Sequence, residues 1–161
     1  DGLQDISLEL RNTKVVVLGS AAHQHVALDK FREHMSLVAS WLTSNAPNTT
    51  VFFKTTAEGH VDCENRGTAP FPPGVIGNDD AAWDPRRTQY DWHIFDRLNA
   101  IASELFIEAG HRLLHSAPLL ARRPDGHRLP PNDCLHYTLP GPPDVEAELL
   151  ASFLKRDSDA S

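Results

Sequence analysis

The sequence predicts a three-layered α/β protein built on a parallel sheet, and three features carry that expectation. Short β-branched runs alternate with longer amphipathic stretches in the order β-α-β-α-β. A last amphipathic stretch follows a long connection, and the prolines gather between these elements, not inside them.

Lys14-Val15-Val16-Val17-Leu18-Gly19 is a β-branched run ending in glycine, which reads as a buried strand. From Val26 to about Ser44, apolar residues recur at Phe31, Met35, Val38, Trp41 and Leu42, the spacing of an amphipathic helix. Asn45-Ala46-Pro47 stops it. Thr50 to Thr55 is a second strand. A second helix runs from about Tyr90 to Ala109, with Phe95, Leu98, Ile101, Leu105 and Phe106 on one face and Gly110 as its C-cap. Arg112 to His115 is a third strand. The last helix starts near Pro143-Asp144 and continues through Val145, Leu149, Leu150, Phe153 and Leu154. A polar tail, 155–161, follows. Three strands make a thin parallel sheet, so the first is expected to pair with a strand further upstream.

Eleven of the twelve prolines follow Ala69, in connections from Thr68 to about Gln89 and from Pro118 to Pro143. Connections this long in a compact domain are commonly functional. In parallel α/β sheets, sites form beyond the carboxyl ends of the strands, where the segments after Leu18, Thr55 and His115 lie.

With 161 residues the chain fits one domain with a real core. A net charge of −7 argues against a nucleic-acid partner, which needs a basic face. The sequence shows no apolar run of membrane-spanning length and no signal peptide. It starts at Asp1 and its sole methionine is Met35, so the start is expected to be a processing site or a fragment edge. Asn48-Thr49-Thr50 is a glycosylation sequon on a loop. Together with two cysteines, Cys63 and Cys134, it points towards the secretory pathway.

Asp133-Cys134-Leu135-His136 is the segment with the clearest chemistry. A nucleophilic serine needs a base to take its proton, and the base needs a carboxylate to fix its tautomer. Asp and His three apart on a rigid loop can present both groups to one pocket. The spacing alone equally suits a capping Asp beside a surface His. Its surroundings narrow the choice. Asp133-Cys134-Leu135-His136-Tyr137-Thr138-Leu139-Pro140-Gly141-Pro142-Pro143-Asp144, followed by Glu148-Leu149-Leu150, resembles the C-terminal signature of the trichome-birefringence-like wall-polysaccharide O-acetyltransferases. Those enzymes belong to a wider group of SGNH/GDSL-like acyl-esterases. Val51-Phe52-Phe53-Lys54 with His60 resembles that family's strand-plus-histidine element, and Arg123-Pro124-Asp125-Gly126-His127 its Asp-Gly-His segment. The stretch from Val15 to His23 occupies the place of the family's strand ending in Asn-x-Gly-His.

The resemblance implies an SGNH-hydrolase-like three-layer sandwich lacking its N-terminal strands, and a Ser-His-Asp triad. His136 takes the role of general base and Asp133 that of its orienter. It also implies a glycan or polysaccharide acceptor and an acyl donor as partners, with no cofactor. The expected setting is the Golgi lumen or the exterior, within a membrane-anchored precursor. The family's nucleophile lies in an upstream Gly-Asp-Ser block that this sequence does not contain, so an upstream segment of the same protein is an expected partner. Ser20-Ala21-Ala22-His23 replaces the Asn and Gly of the first strand, which puts an oxyanion contact in question. Thr138 stands where the family often has a cysteine.

Ser20 follows a strand and Gly19, as a GDSL-type serine does, but no aspartate precedes it, and a strand-end turn is the better reading. His23 and His25, with His60 or His127, would suit a metal only if the strand extended through them; a turn into the helix is favoured, and no metal is assigned. His60 and His127 are read as pocket-lining residues, or else as hydrogen-bonded loop histidines. His34, His93, His111 and His115 are read as structural or exposed. Cys63 and Cys134 are expected to form a disulfide that pins the Asp133-His136 loop. Asn65-Arg66-Gly67 and Trp83 are candidates for a glycan groove, with Trp83 and Trp92 equally suited to packing. A non-catalytic glycan-binding or structural relative lacking the nucleophile is the alternative of a different class.

Overall fold

Val15–Gly19 (β1) lies parallel to Thr50–Lys54 (β2), which pairs in parallel with Arg112–Leu114 (β3). The strand order is therefore β1-β2-β3. The structure, a computed structural model, describes residues 10, 12–22, 24, 26–61, 63–64 and 90–159. Its packing divides into two compact units, Asp1–Thr56 with Ile94–Leu114, and Ala57–His93 with His115–Ser161.

In the first unit, Leu28–Asn45 (α1) and Phe95–Glu108 (α2) make the two crossovers. The helices pack against each other, with Arg32 on Glu104 at 3.0 Å and the Thr43 hydroxyl donating to the Ala109 carbonyl at 3.1 Å. The described elements of this unit thus form a parallel three-stranded sheet flanked by helices. Val51, Phe52 and Phe53 are all buried, as a middle strand covered on both faces requires. Phe53 meets Phe106 with ring centroids 5.0 Å apart. The Asn99 side chain extends the sheet's bonding beyond β2, accepting the Thr56 amide at 2.9 Å and donating to the Thr56 carbonyl at 2.8 Å.

Two expectations change here. The helix expected from Tyr90 begins at Phe95, because Asp91 has a left-handed φ of 56° and a 3₁₀ turn, Trp92–Ile94, intervenes. The strand expected to be buried, β1, is partly open, with Val17 38% exposed. Among the described residues β1 pairs on one side only. Beside it runs an apolar groove of about 690 Å³ that includes Val16, Leu18, Leu37, Val38 and Trp41.

In the second unit, the connection expected from Pro118 to Pro143 is folded. Ala117–Leu120 (α3) and a 3₁₀ turn, Pro124–Gly126, lead into His127–Leu129 (β4), which pairs antiparallel with Asp133–Tyr137 (β5). Pro142–Asp159 (α4) closes the unit and continues helically past Leu154, through most of the expected tail. The buried Ser116 hydroxyl donates to Glu146 of α4 at 2.6 Å. Gly126 is needed where it stands, since a Cβ there would lie 2.3 Å from Pro142 Cγ. Among the described residues, no helix is long and apolar enough to cross a membrane.

Candidate active site

Residues three apart in a regular strand point to opposite faces, so Asp133 and His136 on β5 would ordinarily miss each other. They meet because the Asp133 carboxylate folds over the start of the strand. Its Oδ1 accepts the backbone amides of Leu135 at 3.1 Å and His136 at 3.0 Å. The same carboxylate then reaches the imidazole, with His136 Nδ1 3.0 Å from Oδ2 and 3.1 Å from Oδ1. The pair was expected on a rigid loop; it sits on a strand whose first turn is set by the acid itself.

A carboxylate can only accept, so Nδ1 of His136 carries a proton and, in the neutral ring, Nε2 keeps the lone pair. Among the described residues Nε2 has no hydrogen-bond partner, and the His136 side chain is 63% exposed against 25% for Asp133. Burial pushes the Asp133 carboxyl up. The amides of His136 and Leu135 and the His136 ring outweigh burial and hold it below the ordinary aspartate value. Asp133 therefore stays ionised while it orients the ring. An imidazole held this way can take a proton at Nε2 and pass it on.

β5 is tied down on several sides. Cys134, between the acid and the base, is disulfide-bonded to Cys63 with Cα atoms 5.6 Å apart, as expected. The His60 amide donates to the Cys134 carbonyl at 2.9 Å. His127, at the start of β4, stacks on Tyr137 with centroids 4.7 Å apart, and its Nδ1 lies 3.2 Å from the His136 carbonyl oxygen. The Tyr137 hydroxyl donates to the Leu120 carbonyl at 2.9 Å, and burial pushes its pKa up, keeping the proton in place. Arg123 grips Asp125 through Nε at 2.9 Å and Nη2 at 3.0 Å; that hydrogen bond lowers the Asp125 pKa and raises that of Arg123.

His60 and His127 are 1% and 4% exposed and hydrogen-bonded to each other at 2.7 Å, inside the unit. Their pairing was not legible, because 67 residues separate them and only the tertiary fold joins them. His111 is structural as expected, with Nε2 3.0 Å from the Ala39 carbonyl oxygen. Trp92 is a packing residue set against Gly59, where an added Cβ would lie 2.4 Å from its ring. Asn48 is exposed in the turn between α1 and β2. Ser20 is half-buried just past β1, in the first unit. His23, His25, Asn65, Arg66, Gly67 and Trp83 lie outside the described residues. Cys63, Glu64 and Cys134 bring metal-type ligand atoms together, but both sulfurs are committed to the disulfide.

Comparison with known proteins bears on this arrangement. A family model described as the GDSL/SGNH-like acyl-esterase family found in Pmr5 and Cas1p (PC-Esterase) matches residues 7–153. The chain is also similar to protein trichome birefringence-like 18 of Arabidopsis thaliana, at 48% identity over 40 residues. That stretch covers 25% of this chain and 7% of the plant protein's length.

Proposed function

Since the chain belongs to the PC-Esterase family of GDSL/SGNH-like acyl-esterases, we propose that it carries the acid and base of a serine-type acyl-esterase or polysaccharide O-acetyltransferase acting on acetyl esters of glycans. The observation that supports this reading is His136, held by Asp133 through Nδ1 at 3.0 Å with Nε2 left open.

The nucleophile in this proposal is the serine of a Gly-Asp-Ser block in an upstream segment of the same protein. Nε2 of His136 removes the hydroxyl proton as Oγ attacks the acyl carbonyl, forming the C–O bond and an oxyanion. Asp133 remains ionised and stabilises the imidazolium. Collapse of the intermediate breaks the ester bond, and the proton on Nε2 goes to the departing alkoxide. The acyl group then passes from serine to water or to a sugar hydroxyl, whose own proton Nε2 accepts and returns to the serine. The open edge of β1 and its apolar groove are where the upstream segment adds to the sheet in this reading. An oxidising compartment, the Golgi lumen or the exterior, suits the disulfide and the exposed sequon at Asn48.

His136→Ala in the complete protein tests it. Turnover of acetylated glycans should fall by at least about 10³-fold, with fluorophosphonate labelling of the serine lost in parallel. Near-normal turnover would remove His136 from the mechanism. Glycan binding with no labelling in the unmutated protein would make it a non-catalytic glycan-binding relative.

A further inference from the structure

Behind the exposed Asp133–His136 couple lies a second histidine pair that the acyl-transfer scheme leaves unused. His60 and His127 are buried, and their ring nitrogens form a chain of three contacts. His60 Nε2 is 2.7 Å from the Ala121 carbonyl oxygen, His60 Nδ1 is 2.7 Å from His127 Nε2, and His127 Nδ1 is 3.2 Å from the His136 carbonyl oxygen. Both ends of the chain are carbonyls, which only accept. Each terminal nitrogen must therefore carry a hydrogen, and a third hydrogen must lie between the rings. Two neutral imidazoles hold two N–H protons. The geometry calls for three.

We propose that His60 and His127 share one extra proton, and that this charged pair positions the main chain of His136. The proposal rests on reading His136 as the general base. Without the shared proton, one contact must fail. The two contacts at 2.7 Å cannot tolerate facing lone pairs, so the failure falls on the 3.2 Å contact to His136. His127 then turns a lone pair to the His136 carbonyl and releases it. With the proton, β5 is held beside its base.

The surroundings are mixed in sign. From β5, the Asp133 carboxylate favours the pair's charge, His136 opposes it when protonated, and Tyr137 stacks on His127. From the turn before β4, the Asp125 carboxylate favours the charge and is itself held by Arg123; Glu146 of α4 acts on Tyr137. Burial is the largest influence on His127 and draws its pKa below the ordinary histidine value against the help of the His136 carbonyl, Asp133 and Asp125. The pair's proton is accordingly gained as pH falls and lost as pH rises, with the change on the acid side of the usual histidine range.

The experiment is a pH titration of the full chain with ¹⁵N-labelled histidine, following each ring nitrogen. His60 and His127 should together gain one proton, giving an imidazolium pattern on the pair while both terminal N–H groups persist. His127→Asn keeps a donor towards the His136 carbonyl but carries no charge. With ¹³C at the histidine carbonyls as well, the His136 carbonyl shift should show a step as the pair gains its proton, and that step should be lost in this variant. Two neutral rings at every pH at which the fold persists would overturn the proposal, and so would a His136 carbonyl step unchanged by His127→Asn. Neither readout requires acyl chemistry, so an inactive protein with these titrations would reject the esterase reading alone.

Discussion

The two units are held together by different physics. The first is a stack of rings and branched chains: Phe31, Phe52, Phe53, Phe95, Leu98 and Phe106 are buried, and α1 and α2 each bury an apolar stripe. Among its described residues, the second buries few large apolar side chains. Among the described residues of its longest helix, α4, only Pro142 is buried. Its interior instead holds His60, Ser116, His127 and a disulfide, joined by directed bonds. Apolar packing is strong but nearly indifferent to direction, whereas hydrogen bonds and covalent links fix distances. A unit that must hold a carboxylate 3.0 Å from an imidazole gains more from the second kind.

The contrast can be broken, beginning with its largest expected effect. Phe53→Ala should cost about 3–5 kcal/mol in chemical denaturation, with hydrogen-exchange protection lost across β1, β2 and α2. A cost under about 1 kcal/mol would show that the ring stack does not carry the first unit. Replacing both Cys63 and Cys134 with serine should cost about 2–4 kcal/mol, with protection lost mainly in β4 and β5. Equal loss in β2 would erase the distinction between the units. Gly59→Ala should cost about 1–3 kcal/mol and shift the fluorescence of Trp92, because the new methyl meets a buried ring. An unchanged spectrum would mean that the ring is free to yield.

The smallest effect is acid sensitivity, and its sign follows from three groups. His127 has a depressed pKa, so the folded chain favours its neutral form, and stability falls as pH drops through the ordinary histidine range. Asp125 and Asp133 are also depressed. Their contribution is present above the ordinary carboxylate pKa and is lost as pH falls below it. Resistance to denaturant should therefore fall in two steps on acidification. A single step confined to the carboxylate range would remove His127 from the explanation.

The sequence revealed much of the first unit, because its elements announce themselves by period. Phe31, Leu42, Leu98 and Phe106 recur at helical spacing, and Val51-Phe52-Phe53 is a run that only a covered strand tolerates. Just before Ile94, where the first unit resumes, the helix expected from Tyr90 is overridden by the left-handed Asp91. The second unit gave fewer signs. Pro130 and Pro131 make β4 and β5 read as one loop, and strands of three and five residues are too short to show alternation. Asp133 and His136 were legible as a motif, but not their strand. The fold of the Asp133 carboxylate over its own amides, and the meeting of His60 with His127, are tertiary facts without a local pattern.

Cys134 occupies a position whose meaning extends to the laboratory bench. It stands between Asp133 and His136, so the covalent link to Cys63 is attached within the acid–base segment itself. A host whose cytoplasm keeps thiols reduced can make every peptide bond of this chain and still leave that segment without its anchor. The choice of expression system is therefore also a choice about the geometry of the site, and a silent preparation from a reducing host does not test His136.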